Sequence, residues 1–209
     1  MKLYYSPGAC SLAVHIALIE AKEAFQLERV DLESKMTESG ADYLSINPKG
    51  YVPALVLDTG EMLTENLAIL DWIATRHPSL GLDSALGRTR LLETLAFTST
   101  EVHKSFKPFF TGANDEEKSK ASHAVSQRLQ FLSQRTRGPF LFGERPSVAD
   151  CYLFVMLLWA MKFGIAFPDA LLTLAGSMVG LLAVQKAMER EGLRVPFAEA
   201  SPQKWMGVV

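Results

Sequence analysis

Four short runs carry groups that could do chemistry. Cys10 follows Ser6-Pro7-Gly8-Ala9, a turn sequence that leads into the helical spacing of Leu12, Ile16 and Ile19. At a helix N-terminus, unpaired N–H groups and the positive dipole end favour a thiolate, so Cys10 is a candidate reactive cysteine; its plainer reading is a small buried hydrophobe. Val52-Pro53 follows Asn47-Pro48-Lys49-Gly50-Tyr51 and leads into a strand. Proline removes a ladder donor and keeps Val52 extended, which leaves its backbone groups free to meet a ligand, more so across a cis bond. Thr64-Glu65-Asn66 opens the next helix, where N–H groups and side-chain oxygens can hold a carboxylate and an ammonium group, or simply cap the helix. His103 stands in Thr100-Glu101-Val102-His103-Lys104-Ser105-Phe106, among Phe106, Phe109 and Phe110. It is a site candidate or an ordinary surface histidine.

Other reactive types read as structural. Cys151 lies in the apolar run Cys151-Tyr152-Leu153-Phe154-Val155-Met156 and belongs to a core. His15 is read as structural, His77 as a helix-end residue and His123 as exposed. No histidine pair has metal-ligand spacing, so no metal is expected, and there is neither a glycine-rich phosphate loop nor a G-x-S-x-G elbow. The 209 residues hold 21 Lys+Arg against 23 Asp+Glu, a net charge of −2. That balance lacks the electrostatic footprint of a nucleic-acid binder or a polybasic membrane anchor. The apolar stretches Cys151–Met161 and Ala170–Gln185 are too short to span a membrane and read as buried helices. Two cysteines and no secretory leader pattern point to a reducing cytoplasm, and the expected partner is a small molecule.

The first 80 residues alternate in type. Lys2–Tyr5 reads as a strand, the Leu12/Ile16/Ile19 run as a helix and Phe25–Leu32 as a second strand, a βαβ unit. After the irregular Glu33–Asp42, Ala54–Leu57 and Met62–Leu63 flank Asp58-Thr59-Gly60 as an antiparallel hairpin. Leu67, Leu70, Ile73 and Ala74 then form a helical stripe that ends at Arg76-His77-Pro78. From Ser84 onward the pattern is helical: Arg88–Lys107, about Asp115 to Gln134, a helix opening at Ser147 and one near Asp169. Ser147 and Asp150 form a capping-box pattern. The connection lies in Ser79–Gly87, giving domains 1–80 and 88–209 joined by 81–87.

Tyr4-Tyr5-Ser6-Pro7-Gly8-Ala9-Cys10-Ser11-Leu12, Asn47-Pro48-Lys49-Gly50-Tyr51-Val52-Pro53-Ala54-Leu55, Leu63-Thr64-Glu65-Asn66-Leu67-Ala68-Ile69 and Glu101-Val102-His103-Lys104, with the Ser147-to-Phe154 helix opening, strongly resemble bacterial beta-class glutathione S-transferases over the whole chain. The resemblance implies an α/β thioredoxin-like N-terminal domain (βαβ-ββα), an all-α C-terminal domain and a homodimer. It also implies glutathione as co-substrate in the cleft between the domains, with no permanently bound cofactor. By resemblance, Val52 before a cis Pro53 would pair with the cysteinyl part of glutathione. Glu65 and Asn66 would hold the γ-glutamyl end, and Lys35 would face the glycine carboxylate. Cys10 would lie beside the glutathione sulfur, as hydrogen-bond donor or mixed-disulfide partner. Thr100 and His103 would close the site, and Tyr5, Phe106, Phe109, Phe110 and Trp159 would line an electrophile pocket. Two positions depart from the family pattern: Ala96 stands where many relatives have Asn, removing a polar contact, and Asn66 stands where a smaller residue is usual, changing the carboxylate site. The activity implied is conjugation of glutathione to apolar electrophiles. Thiol transfer or peroxide reduction through a Cys10 mixed disulfide is the alternative, and a silent ligand-binding protein the third reading.

Overall fold

The computed structural model describes residues 1–194; the end of the expected helical domain, 195–209, lies outside the described residues. The chain opens with β1 (Lys2–Tyr5), α1 (Ser11–Glu20), β2 (Gln26–Arg29), a one-turn α2 (Tyr43–Ile46), β3 (Ala54–Val56), β4 (Met62–Thr64) and α3 (Asn66–Arg76). The four strands form one sheet in the order β2-β1-β3-β4. β1 runs parallel to β2 and antiparallel to β3, and β3 and β4 form the expected antiparallel hairpin. The two-residue period of a strand sorts the side chains. Leu3, Tyr5 and Leu55 enter the main core with α1 and α3, while Tyr4 and Ala54 face a smaller cluster with Val30, Tyr43 and Val52. β2 is shorter than the alternation over Phe25–Leu32 suggests, because its parallel partner β1 supplies only the four residues Lys2–Tyr5 before the Pro7 turn. α2, unexpected in sequence, is capped by Asp42, whose side chain accepts from Leu44 N at 2.9 Å.

The remainder is helical: α4 (Gly87–Phe97), a π-helical turn (Thr98–His103), α5 (Lys107–Phe110), α6 (Asp115–Ser133), α7 (Val148–Lys162), α8 (Asp169–Val179) and α9 (Leu182–Arg190). The single helix expected over Arg88–Lys107 is thus broken into three pieces, its middle widened into a π turn, a form that recurs at functional sites. The apolar Ala170–Gln185 run is likewise two helices, broken at Gly180-Leu181. α7 is the structural axis. Leu153, Phe154 and Leu157 are fully buried, and one continuous core joins α7 to Leu12 and Ile16 of α1. Each such fully buried apolar side chain contributes roughly 1.5–3 kcal/mol. Its N-terminus is fixed by Asp150, which accepts from Ser147 N at 2.8 Å, Ser147 Oγ at 2.7 Å and Leu141 N at 2.7 Å. Among the described residues no single helix is long and apolar enough to cross a membrane.

Candidate active site

A cleft of about 850 Å³ opens between the helical half and the edge of the sheet where β1 and β4 end and β3 begins. On the sheet side, the Ser6–Cys10 turn is knotted by its own bonds: Ser11 Oγ bridges Ser6, and Ala9 N donates to Ser6 O at 3.0 Å. This presents Cys10 as the cap of α1, with Sγ donating to the Val52 carbonyl at 3.5 Å. The Val52-Pro53 peptide bond is cis. The thiolate expected from the helix N-terminus is not the resting form. Burial pushes the Cys10 thiol up to about 12, against the opposing pull of the N–H groups of Cys10 and Ser11. Desolvation disfavours the charged form more than a few backbone donors restore it.

Glu65 caps α3 with φ +69°, a left-handed backbone that costs of order 1–3 kcal/mol in a non-glycine residue and clusters at ligand sites. Its Oε1 accepts from Lys49 Nζ at 2.5 Å and from Tyr51 OH at 2.6 Å, and these bonds hold its carboxyl below the usual range. Asn66, the first residue of α3, lines the cleft at 7% exposure, and among the described residues neither its amide nitrogen nor its amide oxygen has a hydrogen-bond partner.

On the helical side, His103 Nδ1 meets the Tyr152 hydroxyl at 2.7 Å, and its ring packs edge-on against Trp159 at 5.0 Å. Desolvation, aided by Lys104, lowers the His103 imidazole to about 4, and burial holds the Tyr152 phenol well up. At neutral pH the imidazole is uncharged and the phenol protonated. Phe110 is 52% exposed and lies 4.8 Å from the Trp159 ring. Lys104 and Lys162 add positive charge to this wall.

The structure gathers Cys10, Val52, Glu65, Asn66, His103, Phe110 and Trp159 on one cleft. Other expected residues are elsewhere. Thr100 is exposed and returns its hydroxyl to Ala96 O at 3.0 Å, while Ser99 faces the cleft in its place; the π turn changes which residue of this run points inward. Lys35 donates to Gly50 O at 2.8 Å and does not line the cleft. Phe106 is fully buried between Trp159 and Phe163, and Phe109 stacks on Phe163 at 4.7 Å, so both belong to the packing behind the wall. Tyr5 is 7% exposed and also lies in the core. Tyr51, Ser99, Tyr152, Lys162, Met188 and Leu193 line the cleft without having been singled out in sequence. Tyr152 had a signal, its place one turn inside the capped helix opening; Met188 and Leu193 had none, since only tertiary folding brings the end of α9 there.

The chain matches two family profiles, the glutathione S-transferase N-terminal domain over residues 8–76 and the glutathione S-transferase C-terminal domain over residues 95–175. It is 38% identical over 201 residues to the glutathione S-transferase GstA of Escherichia coli, covering 93% of this chain and 100% of the relative. Among solved structures it resembles a sphingomonad glutathione S-transferase complexed with glutathione, with TM-score 0.86, 45% identity, and 93% and 100% of the two chains covered. The beta-class enzyme of Sphingomonas chungbukensis matches with TM-score 0.85 and 46% identity over 93% and 100% of the two chains.

Proposed function

The chain belongs to the glutathione S-transferase family, with a bacterial beta-class enzyme among its solved neighbours, and from that premise we propose that it conjugates glutathione to flat apolar electrophiles, with the Cys10 Sγ–H as hydrogen-bond donor to the glutathione sulfur. The observation that carries this reading is the place of Cys10, on the cleft at the start of α1 with Sγ donating to the Val52 carbonyl at 3.5 Å, and the burial that raises its thiol favours a protonated donor. A thiol donor beside a sulfur anion makes a charge-assisted hydrogen bond, stronger than a neutral one, and stabilises the nucleophile. In the reaction the glutathione thiol gives its proton to solvent, its sulfur forms a C–S bond, and the leaving group departs with the electron pair.

The remaining residues supply position. The unpartnered Asn66 amide and the Glu65 carboxylate suit the γ-glutamyl carboxylate and ammonium groups, with the α3 N–H groups behind them. The Val52 backbone would hold the cysteinyl part. His103 closes the site as an uncharged ring, and Phe110 and Trp159 offer aromatic faces to the electrophile. The two free cysteines fit a reducing cytoplasm, and we expect the family's homodimer.

Turnover of a nitroaryl halide by wild type, Cys10→Ser and Cys10→Ala tests this. Losing a donor to a charged acceptor costs about 1.5–3 kcal/mol, so Cys10→Ala should lose roughly 10- to 100-fold in kcat/KM while Cys10→Ser, which keeps an O–H, recovers most of it. Equal loss in both, with a glutathione adduct on wild-type Cys10, would instead favour thiol transfer through a mixed disulfide.

A further inference from the structure

The helical wall of the cleft carries cations that the conjugation chemistry leaves without a task. Lys104 directly follows the π turn, Lys162 is the last residue of α7 and Arg194 lies beyond α9; all three are exposed and line the cleft. Three separate segments thus bring positive charge to one surface, in a chain whose net charge is −2. Among the described residues the lysines with a carboxylate partner are Lys2, Lys49 and Lys120, so Lys104 and Lys162 have none. Glu65 is the one carboxylate lining the cleft among the described residues, and Lys49 and Tyr51 already engage it. The His103 imidazole between these groups is uncharged at neutral pH, so the positive charge on this side stands unbalanced.

The charges frame the aromatic surface. Lys162 follows Trp159 by three residues on α7, which puts the two on one face of the helix, and its Nζ lies 5.6 Å from the Phe163 ring centroid. Lys104 adjoins His103, whose ring packs on Trp159 at 5.0 Å. Helix ends favour cations, and each of these residues follows one; what the dipole does not set is that the ends meet at one aromatic wall. A cleft lined by one sign of charge focuses its field and concentrates ligands of the opposite sign. Lysine acts there as a point charge on a flexible stem rather than as a planar fork, and so attracts an anionic group without fixing its angle. We propose that the preferred electrophile is an aromatic anion, its flat ring against Phe110 and Trp159 and a carboxylate on that ring directed to Lys104 and Lys162. The proposal rests on the conjugation reading above and narrows it, keeping the apolar ring and adding a charged substituent. The γ-glutamyl end of glutathione does not call on these cations, since Glu65 and Asn66 provide for it from the sheet side.

The test gives the full-length chain 4-chloro-3,5-dinitrobenzoate and its uncharged amide, 4-chloro-3,5-dinitrobenzamide, two compounds of nearly the same shape. In each the glutathione sulfur bonds to the ring carbon, chloride leaves with the bonding pair, and the thiol proton goes to solvent. Each kcat/KM is divided by the rate constant of the same reaction without protein, which removes the difference in ring reactivity. Exposed charge pairs are individually weak, so wild type should favour the benzoate by about four-fold on this corrected scale, and Lys104→Met and Lys162→Met should each cut that preference about two-fold. The double variant should bring it to about one, with KM for glutathione within about two-fold of wild type. Salt at about 0.5 M should shrink the wild-type preference by screening, a readout that needs no variant. No preference in wild type overturns the proposal. So does a preference that the double variant keeps while its glutathione KM rises, which would assign the lysines to the glycine carboxylate of the tripeptide. Turnover of neither compound would sink the conjugation reading, while calorimetric binding of 3,5-dinitrobenzoate against 3,5-dinitrobenzamide, which carry no leaving group, would still decide whether this wall selects an anion.

Discussion

The sheet-side wall of the cleft is held by short-range bonds: Val52 before a cis proline, Glu65 at a left-handed φ, and Asn66 at the first turn of α3. Its helical wall is held by packing, with Phe110 and Trp159 in face-to-edge contact over a cluster of the buried Phe106 and the half-buried Phe109 and Phe163. The first wall presents fixed hydrogen-bonding groups that suit one small polar molecule. The second presents aromatic surface and two lysines, which restricts shape and polarity more than identity. Such a division fits an enzyme with one constant co-substrate and one variable partner.

The comparison breaks most sharply at Glu65. Hydrogen bonds to charged groups are worth about 1.5–3 kcal/mol, so Glu65→Ala should weaken glutathione binding by roughly 10- to 100-fold in calorimetry while KM for the electrophile stays constant. Equal loss on both substrates would mean the walls do not act separately. Asn66→Ala should act with two signs. Removing an unpartnered buried amide should raise the stability of the free protein by about 1 kcal/mol in urea unfolding, while glutathione affinity falls several-fold. A variant less stable than wild type would show that the amide is satisfied in solution.

On the helical wall the effects are smaller. Aromatic contacts contribute about 0.5–1.5 kcal/mol beyond burial, so Phe110→Ala should raise KM for a flat electrophile by about 2- to 10-fold and leave glutathione affinity unchanged. A different readout is a pH slope from His103. Its folded imidazole sits at about 4, below the usual value near 6.5. The unfolded chain therefore binds this proton first, and stability is lost as pH falls from about 6.5 toward 4. His103→Asn should flatten that slope in urea midpoints measured at pH 7 and pH 5; an unchanged slope would assign it to other groups.

Much of the sheet-side wall was legible in the sequence because its signals are local. A proline before a strand, a turn before a helix and a Thr-Glu-Asn helix start each occupy a few consecutive residues and place their own backbone. The helical wall was legible only as composition. Phe106, Phe109 and Phe110 share one run and all three pack against Phe163, yet only Phe110 reaches the cleft, because tertiary packing on α7 decides which rings turn inward. Thr100 and Ser99 exchanged places because the widened turn at Thr98–His103 leaves no mark in the spacing. Met188 and Leu193 were invisible, since only the tertiary fold brings them to the cleft and they follow no pattern of their own. The two influences on the Cys10 thiol differ in legibility for a related reason: the helix N-terminus that lowers it is written in the sequence, whereas the burial that raises it is tertiary.

The central claim is that Cys10 serves as a protonated donor, and its ionisation tests that claim most directly. The thiolate absorbance near 240 nm is recorded across pH as the difference between wild type and Cys10→Ser, so that Cys151 and the tyrosines cancel. With the thiol held up to about 12, no Cys10 thiolate should form below pH 10. A full thiolate step completed by pH 8 would contradict the account and make Cys10 the nucleophile of a redox enzyme.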